Sequence, residues 1–410
     1  MSEWKKVKLG DYCLKIGSGS TPKGGSTVYV ESGTSFIRSQ NVYNLSFDYN
    51  GLTHISEDAA NKLKGVTIFN DDILLNITGD SVARTCIIPS DVLPARVNQH
   101  VAIVRTDTQK MNSRFLNYYL ASPRMQAHML SLAVGKGASR NAMTKQMIEN
   151  FEVPCPPLPI QHRIATILSR YDSLIENYQK QIKLLEEAAQ RLYKEWFVDL
   201  HFPGHENTKI VDDVPEGWEK KKMADVCETI GGGTPSTKVA SYYEGGTISW
   251  VTPTDITKNN SLCLLSTEKK ITKEGLDHSS AKMLPAETIL MTSRASVGYF
   301  GICDFEVCTN QGFISCVPFD SNFQMYLLYN LMNRVEEIRI KAGGSTYLEI
   351  SKSVFRNFDI LCPTDYLIKL FQQESHQLFE RMRMICKQIR LLTEARDRLL
   401  PKLMSGEIAV

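Results

Sequence analysis

The chain has 410 residues, with 47 Lys+Arg against 45 Asp+Glu, a formal charge of +2 and 42% hydrophobic residues. This composition excludes wholesale disorder, and at roughly 100–200 residues per domain the length allows two to four domains. No apolar run reaches the ~18 residues of a membrane helix, and no apolar stretch follows the basic opening MSEWKKVKLGDY, so a cytoplasmic protein away from membranes is expected, its cysteines reduced.

Residues 1–156 mix short β-like runs with Gly, Pro, Asn and Asp turns. DILLNI from Asp72 and HVAIV from His100 are such runs, and the short helical segment SRFLNYYLAS follows from Ser113. They predict a mixed domain built on a twisted sheet. Pro154, Pro156, Pro157 and Pro159 bar a helix before Ile160. Apolar residues then recur in steps of three and four at Ile164, Ile167, Tyr171, Leu174, Tyr178, Leu185 and Leu192, interrupted at Gln181 and Ala188. This seam predicts a long helix over 157–202 with a coiled-coil partner. Pro203-Gly204 opens a linker over 203–213.

Residues 214–363 return to the first pattern, with TILMT from Thr288, GFISCV from Gly312 and the helical segment SNFQMYLLYN from Ser321. Residues 364–410 predict a second long helix, with Leu367, Phe371, Leu378, Ile385, Gln388, Leu392, Ala395 and Leu399 along its seam. Polar Glu374 and Arg381 weaken its first half.

The return is a duplication. QIKLLEEAAQRL from Gln181 recurs as QIRLLTEARDRL from Gln388, identical at eight of twelve positions. At the same offset Asn150-Phe151 matches Asn357-Phe358, and Cys155-Pro156 matches Cys362-Pro363. With small register drift, Asn98-Gln99 matches Asn310-Gln311, Ser81-Val82 matches Ser296-Val297, and Thr21-Pro22 matches Thr234-Pro235. The expectation is an α+β fold: two repeated mixed α/β domains separated by two long antiparallel coiled-coil helices. At ~1.5 Å per residue, some forty residues span about 60 Å, long enough to act as a rigid spacer. Gln181 and Gln388 share one seam position near the middle of such a pair. Two facing amides there would fix the register, whereas burying one against hydrocarbon costs a few kcal/mol. The alternative is that Ile182 and Ile389 turn inward instead.

A search for chemistry finds little. No GxxxxGK[ST] loop occurs, and Gly135-Lys136 lacks the upstream glycine. Gly17-Ser18-Gly19 and Gly231-Gly232-Gly233 run into Thr-Pro and read as turns rather than phosphate cradles. The Asn/Asp-Pro-Pro-aromatic motif of adenine methyltransferases is absent. His201 and His205 are four apart but separated by Pro203-Gly204, which forbids one helical face. Cys303 and Cys308 read as buried thiols, and Glu268-Lys269 as a surface ion pair. No catalysis, no cofactor and no metal are expected.

The WKKVKLGD opening, the second start VPEGWEKKKMADV at Val214, the paired Asn-Gln dipeptides and the segment PCPPLPIQHRIATILSRYDSLIE from Pro154 together resemble the DNA specificity subunit of type I restriction–modification systems. The second copy departs from this pattern, with Cys362-Pro363-Thr364-Asp365 in place of the proline run. The resemblance implies two target recognition domains, 1–156 and 214–363, each reading half of a split sequence in double-stranded DNA. It further implies that the helices act as a ruler and that the chain, itself non-catalytic, scaffolds two methyltransferase subunits and, through the complex, restriction subunits. A coiled-coil adaptor that binds only protein is the alternative.

Residues 1–156 carry 17 basic and 13 acidic side chains, and residues 214–363 carry 15 and 17. Only the first balance favours phosphate contact directly. Arg reads guanine in the major groove and Asn or Gln reads adenine, so polar loop residues are the DNA-binding candidates. They are Arg38, Gln40, Asn41, Thr78, Arg84 and Arg140 in the first domain, and Thr252, Thr254, Asp255, Ser293, Arg294, Lys341 and Thr346 in the second. The recurring Asn-Gln pairs read as fold-defining.

Overall fold

A computed structural model describes residues 4–134, 141–344 and 348–410. Its contacts divide the chain into two compact units, Met1–Ile175 with Leu391–Val410, and Glu176–Arg390. Each unit therefore holds one sheet-bearing part and a piece of each long helix, where the sequence suggested breaks near 157 and 364.

In the first unit, strands Ile73–Asn76 and Val101–Thr106 pair antiparallel at the centre of a four-stranded sheet, flanked by Thr85–Ile87 and Cys13–Ser18. Successive side chains leave a strand on opposite faces. Ile73, Leu75, Ala102 and Val104 accordingly join one core with the helices, while Leu74, Val101 and Ile103 join another with Ile37, Ala95 and Val97. A strand buried on both faces needs no polar alternation, which is why DILLNI and HVAIV read as unbroken apolar runs. A second, five-stranded sheet runs in the order Tyr29–Val30, Thr53–Ile55, Thr34–Ile37, Ala95–Val97, Thr67–Ile68, with Thr34–Ile37 parallel to Ala95–Val97. Helix Ser113–Ala121 begins where Asn112 Oδ1 accepts from the Phe115 amide at 2.9 Å. Ile164, Ala165 and Leu168 of the first long helix share the helix-side core with Leu400, Leu403 and Met404 of the second. Asp172 and Arg396 join these two pieces at 2.7 Å.

The second unit repeats the four-stranded sheet and keeps a three-stranded counterpart of the second sheet. Phe300–Ile302, Ile289–Thr292, Phe313–Pro318 and Cys227–Gly231 form its four-stranded sheet in the same order. Ile248–Val251 lies parallel to Cys308–Thr309 and antiparallel to Lys269–Ile271. Ile289 and Met291 face the helices, and Leu290 faces the second sheet. An aromatic cluster fixes the helix pieces here: Phe371 lies 5.0 Å from Phe197, 5.8 Å from Trp196 and 6.1 Å from Tyr193, centroid to centroid.

The first long helix spans Leu158–Phe197. It accepts Pro159 in its first turn, where no intrahelical N–H bond is needed. It stops five residues before the expected end, with Leu200 left-handed at φ 59° and the His201 amide returning to the Glu195 carbonyl at 2.8 Å. The second spans Asp365–Ser405 and ends at Gly406, φ 72°.

The proposed register device is corrected. Ile182 is buried at 5% exposure, whereas Gln181 is half-buried and donates to Asn177 Oδ1 at 2.5 Å in its own helix. Gln388 is exposed, and Ile389 packs against the core edge. The buried line on the first helix piece of the second unit is Ile182, Ala189, Tyr193 and Trp196, one residue off the predicted seam.

Candidate nucleic-acid interface

At one end of the central sheet, both units build the same polar turn system. Asn98 Oδ1 accepts from the His100 amide at 3.0 Å and its own amide donates to Ile37 O; Asn310 does the same to Gly312 and Val251. Thr21 and Thr234 each donate a hydroxyl proton to the neighbouring Gln99 or Gln311 Oε1. Gly19 and Gly232 are glycine because the Asn-Gln turn lies against their backbones: a Cβ on Gly19 would come within 2.0 Å of Val97 O, and one on Gly232 within 2.1 Å of Asn310 O. The glycines therefore admit a close backbone approach, in agreement with the turn reading. The sequence reading placed no role on Thr21, Thr234, Gly19 or Gly232 individually. Their recurrence at matched offsets in both halves was the signal available.

The candidates divide by what their polar atoms already do. Asn41 is fully buried, its Oδ1 accepting from the Arg38 amide at 3.0 Å and its Nδ2 donating to Asp48 O at 2.9 Å. Asp255 holds the equivalent place, accepting from the Thr252 amide and hydroxyl at 2.8 and 2.7 Å and from the Glu268 amide at 2.7 Å. Both residues cap a loop, so neither can offer its amide or carboxylate to a base without undoing its own turn. Ser293 is buried at 3% and pairs its backbone with Gly312 and Ile350. These three are corrected from base-reading to structural residues.

Arg38 and Gln40 converge on Gly51 O, at 2.8 and 3.3 Å, and Gln40 is exposed. Thr78 Oγ1 lies 2.6 Å from His100 Nδ1. Arg84, half-buried, places its guanidinium 4.5 Å over the Tyr43 ring. Thr254 is exposed and Thr252 half-buried. Arg294 is exposed, with Nε 3.5 Å from Glu349 Oε2. Lys341 is occupied elsewhere, 3.4 Å from Glu337 and 4.5 Å over the Phe358 ring. Arg140, Thr346 and Gly135-Lys136 lie outside the described residues. The structure thus brings Arg38 with Gln40, and Thr252 with Asp255, and pairs Lys341 and Arg294 with different glutamates.

Buried cations elsewhere have structural partners. Arg96, which burial holds below the usual arginine range, donates to Ala60 O and Ala95 O at 3.2 and 2.9 Å. Arg105 forks onto Asp72 with two 2.7 Å bonds. All ten cysteines are free thiols, and Cys303 and Cys308 are buried. Among the described residues no group of three His, Cys, Asp or Glu could hold a metal ion, and no helix is long and apolar enough to cross a membrane.

Comparison with known proteins places this architecture. Residues 1–187 and 215–382 match the family described as type I restriction modification DNA specificity domain. The chain is 22% identical to the HindI specificity subunit of Haemophilus influenzae over the full length of both chains. It is 35% identical to the MjaIX specificity subunit of Methanocaldococcus jannaschii over 156 residues, 38% of this chain and 36% of that one. The S subunit of a type I system from M. genitalium superposes with a TM-score of 0.59 at 14% identity, covering 98% of this chain and 96% of that one, which shows a shared fold. Two specificity domains, each on the same doubled sheet frame, therefore make this chain a member of the type I restriction–modification specificity subunit family.

Proposed function

We propose that the chain reads a bipartite DNA sequence, one half with each sheet-bearing part, and serves as the non-catalytic scaffold on which methyltransferase and restriction subunits of a cytoplasmic complex assemble. The observation that carries this reading is the repeated turn frame. Identical hydrogen bonds recur around Asn98-Gln99 and Asn310-Gln311, while the side chains standing on that frame differ between the copies. A duplicated frame with divergent loops suits two related but unequal half-sites. Arg38, Gln40, Thr78 and Arg84, and Thr252, Thr254 and Arg294, are the side chains proposed to face DNA. An antiparallel coiled-coil ruler between the half-sites accords with the helix-to-helix contacts inside each unit, Asp172 with Arg396 in one and Phe197 with Phe371 in the other. The protein-only adaptor is disfavoured, because it gives no reason for a polar turn system kept in both copies.

Exchanging residues 1–156 for the first domain of another family member tests the reading. One half of the methylated or bound sequence should change and the other should stay. A change in both halves, or in spacing alone, refutes it.

A further inference from the structure

The duplication allows the two copies to be compared atom for atom at the turn frame. Thr78 and Arg294 are equivalent: each forms an isolated β-bridge, to Ala142 and to Glu349, one residue before amides that donate to Asn141 O and Leu348 O. His100 and Gly312 are equivalent by their Asn-capped amides, and by their carbonyls, which accept from Ile77 and Ser293. The frame is constant, and the pair it carries changes from Thr–His to Arg–Gly. In the first copy the imidazole of His100 fills the position and bonds Thr78 at 2.6 Å. In the second, the missing side chain leaves a cleft lined by Pro253, Arg294, Ala295, Asn310, Gln311 and Gly312.

We propose that this cleft is where the second copy reads a base pair of its half-site, and that Arg294 is the specificity-determining residue, reading a guanine. The assignment rests on the DNA-reading function above and names the residue that does it. Residues 214–363 contain four arginines. Arg334 is committed to Glu337 and Asp359 O, Arg339 to Glu336 and Val297 O, and Arg356 to Thr229. Among the described residues, Arg294 alone of the four leaves both terminal nitrogens without a protein acceptor. Its nearest approach to Glu349 is through Nε, at 3.5 Å, with the two side chains 46% and 48% exposed. An exposed pair of that length contributes little and is readily given up. The guanidinium edge left open matches the O6 and N7 acceptors of guanine, which its planar fork meets with two parallel bonds. Pro253 and Ala295 provide apolar walls, and the Asn310-Gln311 turn provides a floor held rigid by its own hydrogen bonds. Gly312 keeps the cleft open: a Cβ there would already lie 3.0 Å from Pro253 Cγ and 3.1 Å from Asn310 Oδ1.

The test uses the full-length chain to select from a duplex DNA library randomised across both half-sites, with Arg294→Ala, Arg294→Lys and Glu349→Gln run in parallel. Arg294→Ala should erase a guanine preference at one base pair of one half-site, with about ten- to hundredfold weaker binding to the parent's sequence. The other half should be unchanged. Arg294→Lys should keep the salt dependence while weakening the same preference, and Glu349→Gln should keep the preference. The proposal is overturned if Arg294→Ala weakens all sequences equally with a shallower salt slope, or changes nothing. It is also overturned if Glu349→Gln reproduces the loss. A parent chain that enriches no bipartite sequence would instead refute the DNA-reading function itself.

Discussion

Arg383 offers the sharpest test of how the second long helix is fixed to the sheet-bearing part of its own unit. Its guanidinium reaches Glu287 Oε2 through one terminal nitrogen and Glu380 Oε1 through the other, both at 2.7 Å, while stacking 4.8 Å over Phe379. Glu287 is held in turn by its backbone, donating to Cys303 O and accepting from Gln324 at 2.6 Å. One helical turn further on, Lys387 meets Asp304 at 2.6 Å, so two cations on one helix face grip two carboxylates beside the central sheet. Breaking a fully buried pair costs about 3–5 kcal/mol. Here Arg383 is 9% exposed but Glu287 is 35% and Glu380 41%, so water recovers part of the loss. About 2 kcal/mol should remain for Arg383→Met, which retains the packing on Phe379, and about 3 kcal/mol for Arg383→Ala, which does not. Urea unfolding followed by tryptophan fluorescence reports mainly on this unit, since Trp196, Trp218 and Trp250 lie in it and only Trp4 lies outside. A double-mutant cycle with Glu287→Gln should return a coupling of about 1 kcal/mol. If Arg383→Met unfolds within about 0.5 kcal/mol of the parent and the coupling is nil, the pair is ornamental and the aromatic cluster alone seats the helix.

The seam correction predicts that Ile182→Ala loses about 2–4 kcal/mol, while Gln181→Ala and Gln388→Ala each stay within about 0.5 kcal/mol. Equal losses by denaturant titration would return the glutamines to the interface. Acid should also act on the helix seat. Lys387 hydrogen-bonds Asp304 and holds its carboxyl below the usual range, so the stability it contributes is complete above the unfolded value near 4 and is lost as pH falls through the lower folded value. Asp304→Asn should flatten that acid limb. Glu186 has the opposite sign: burial raises its pKa, so its contribution is present at low pH and fades as pH rises through the raised value. Glu186→Gln can still accept from the Leu262 amide, now at 3.0 Å, and should remove that dependence; an unchanged pH profile would show that the carboxyl is not desolvated.

Much of the fold was legible because duplication repeats every signal. The apolar runs at Ile73 and Ile289 became the central strands, the short helix at Ser113 formed where expected, and the one expected from Ser321 begins as an α-helix at Gln324. The pairing of Thr34–Ile37 with Ala95–Val97, parallel and about sixty residues apart, was not legible, since single-chain periodicity carries no partner information. Among site residues the failures share a cause. Asn41 and Asp255 have the side chains of base readers and of turn caps alike, and nothing in the sequence says whether the nearest amide belongs to DNA or to the residue three positions back. The structure decides by burial. Asn41 is sealed, whereas Arg294 stands open with most of its donors unassigned.

The one-residue rotation of the helix seam has the same origin at longer range. A strict alternation of three and four steps describes a 3.5-residue repeat, while an unconstrained helix turns every 3.6, so the repeat alone leaves the buried line undetermined to within a residue over several turns. The rotation must then be set by whatever else the helix touches. In the second unit that is the cluster around Phe371, which receives Tyr193, Trp196 and Phe197 from the last turns of the first helix. Large rings bury far more area than an aliphatic seam residue, so they dictate which face turns inward. Counting back from Tyr193 and Trp196 in helical steps gives Ala189 and Ile182, the residues found buried, and places Gln181 beside the interface rather than in it. This piece of the first helix is therefore oriented by its rings, which meet Phe371 of the second long helix and Tyr326 of the sheet-bearing part. The side chains that set it are the aromatic residues at its end, not the polar residue at its middle.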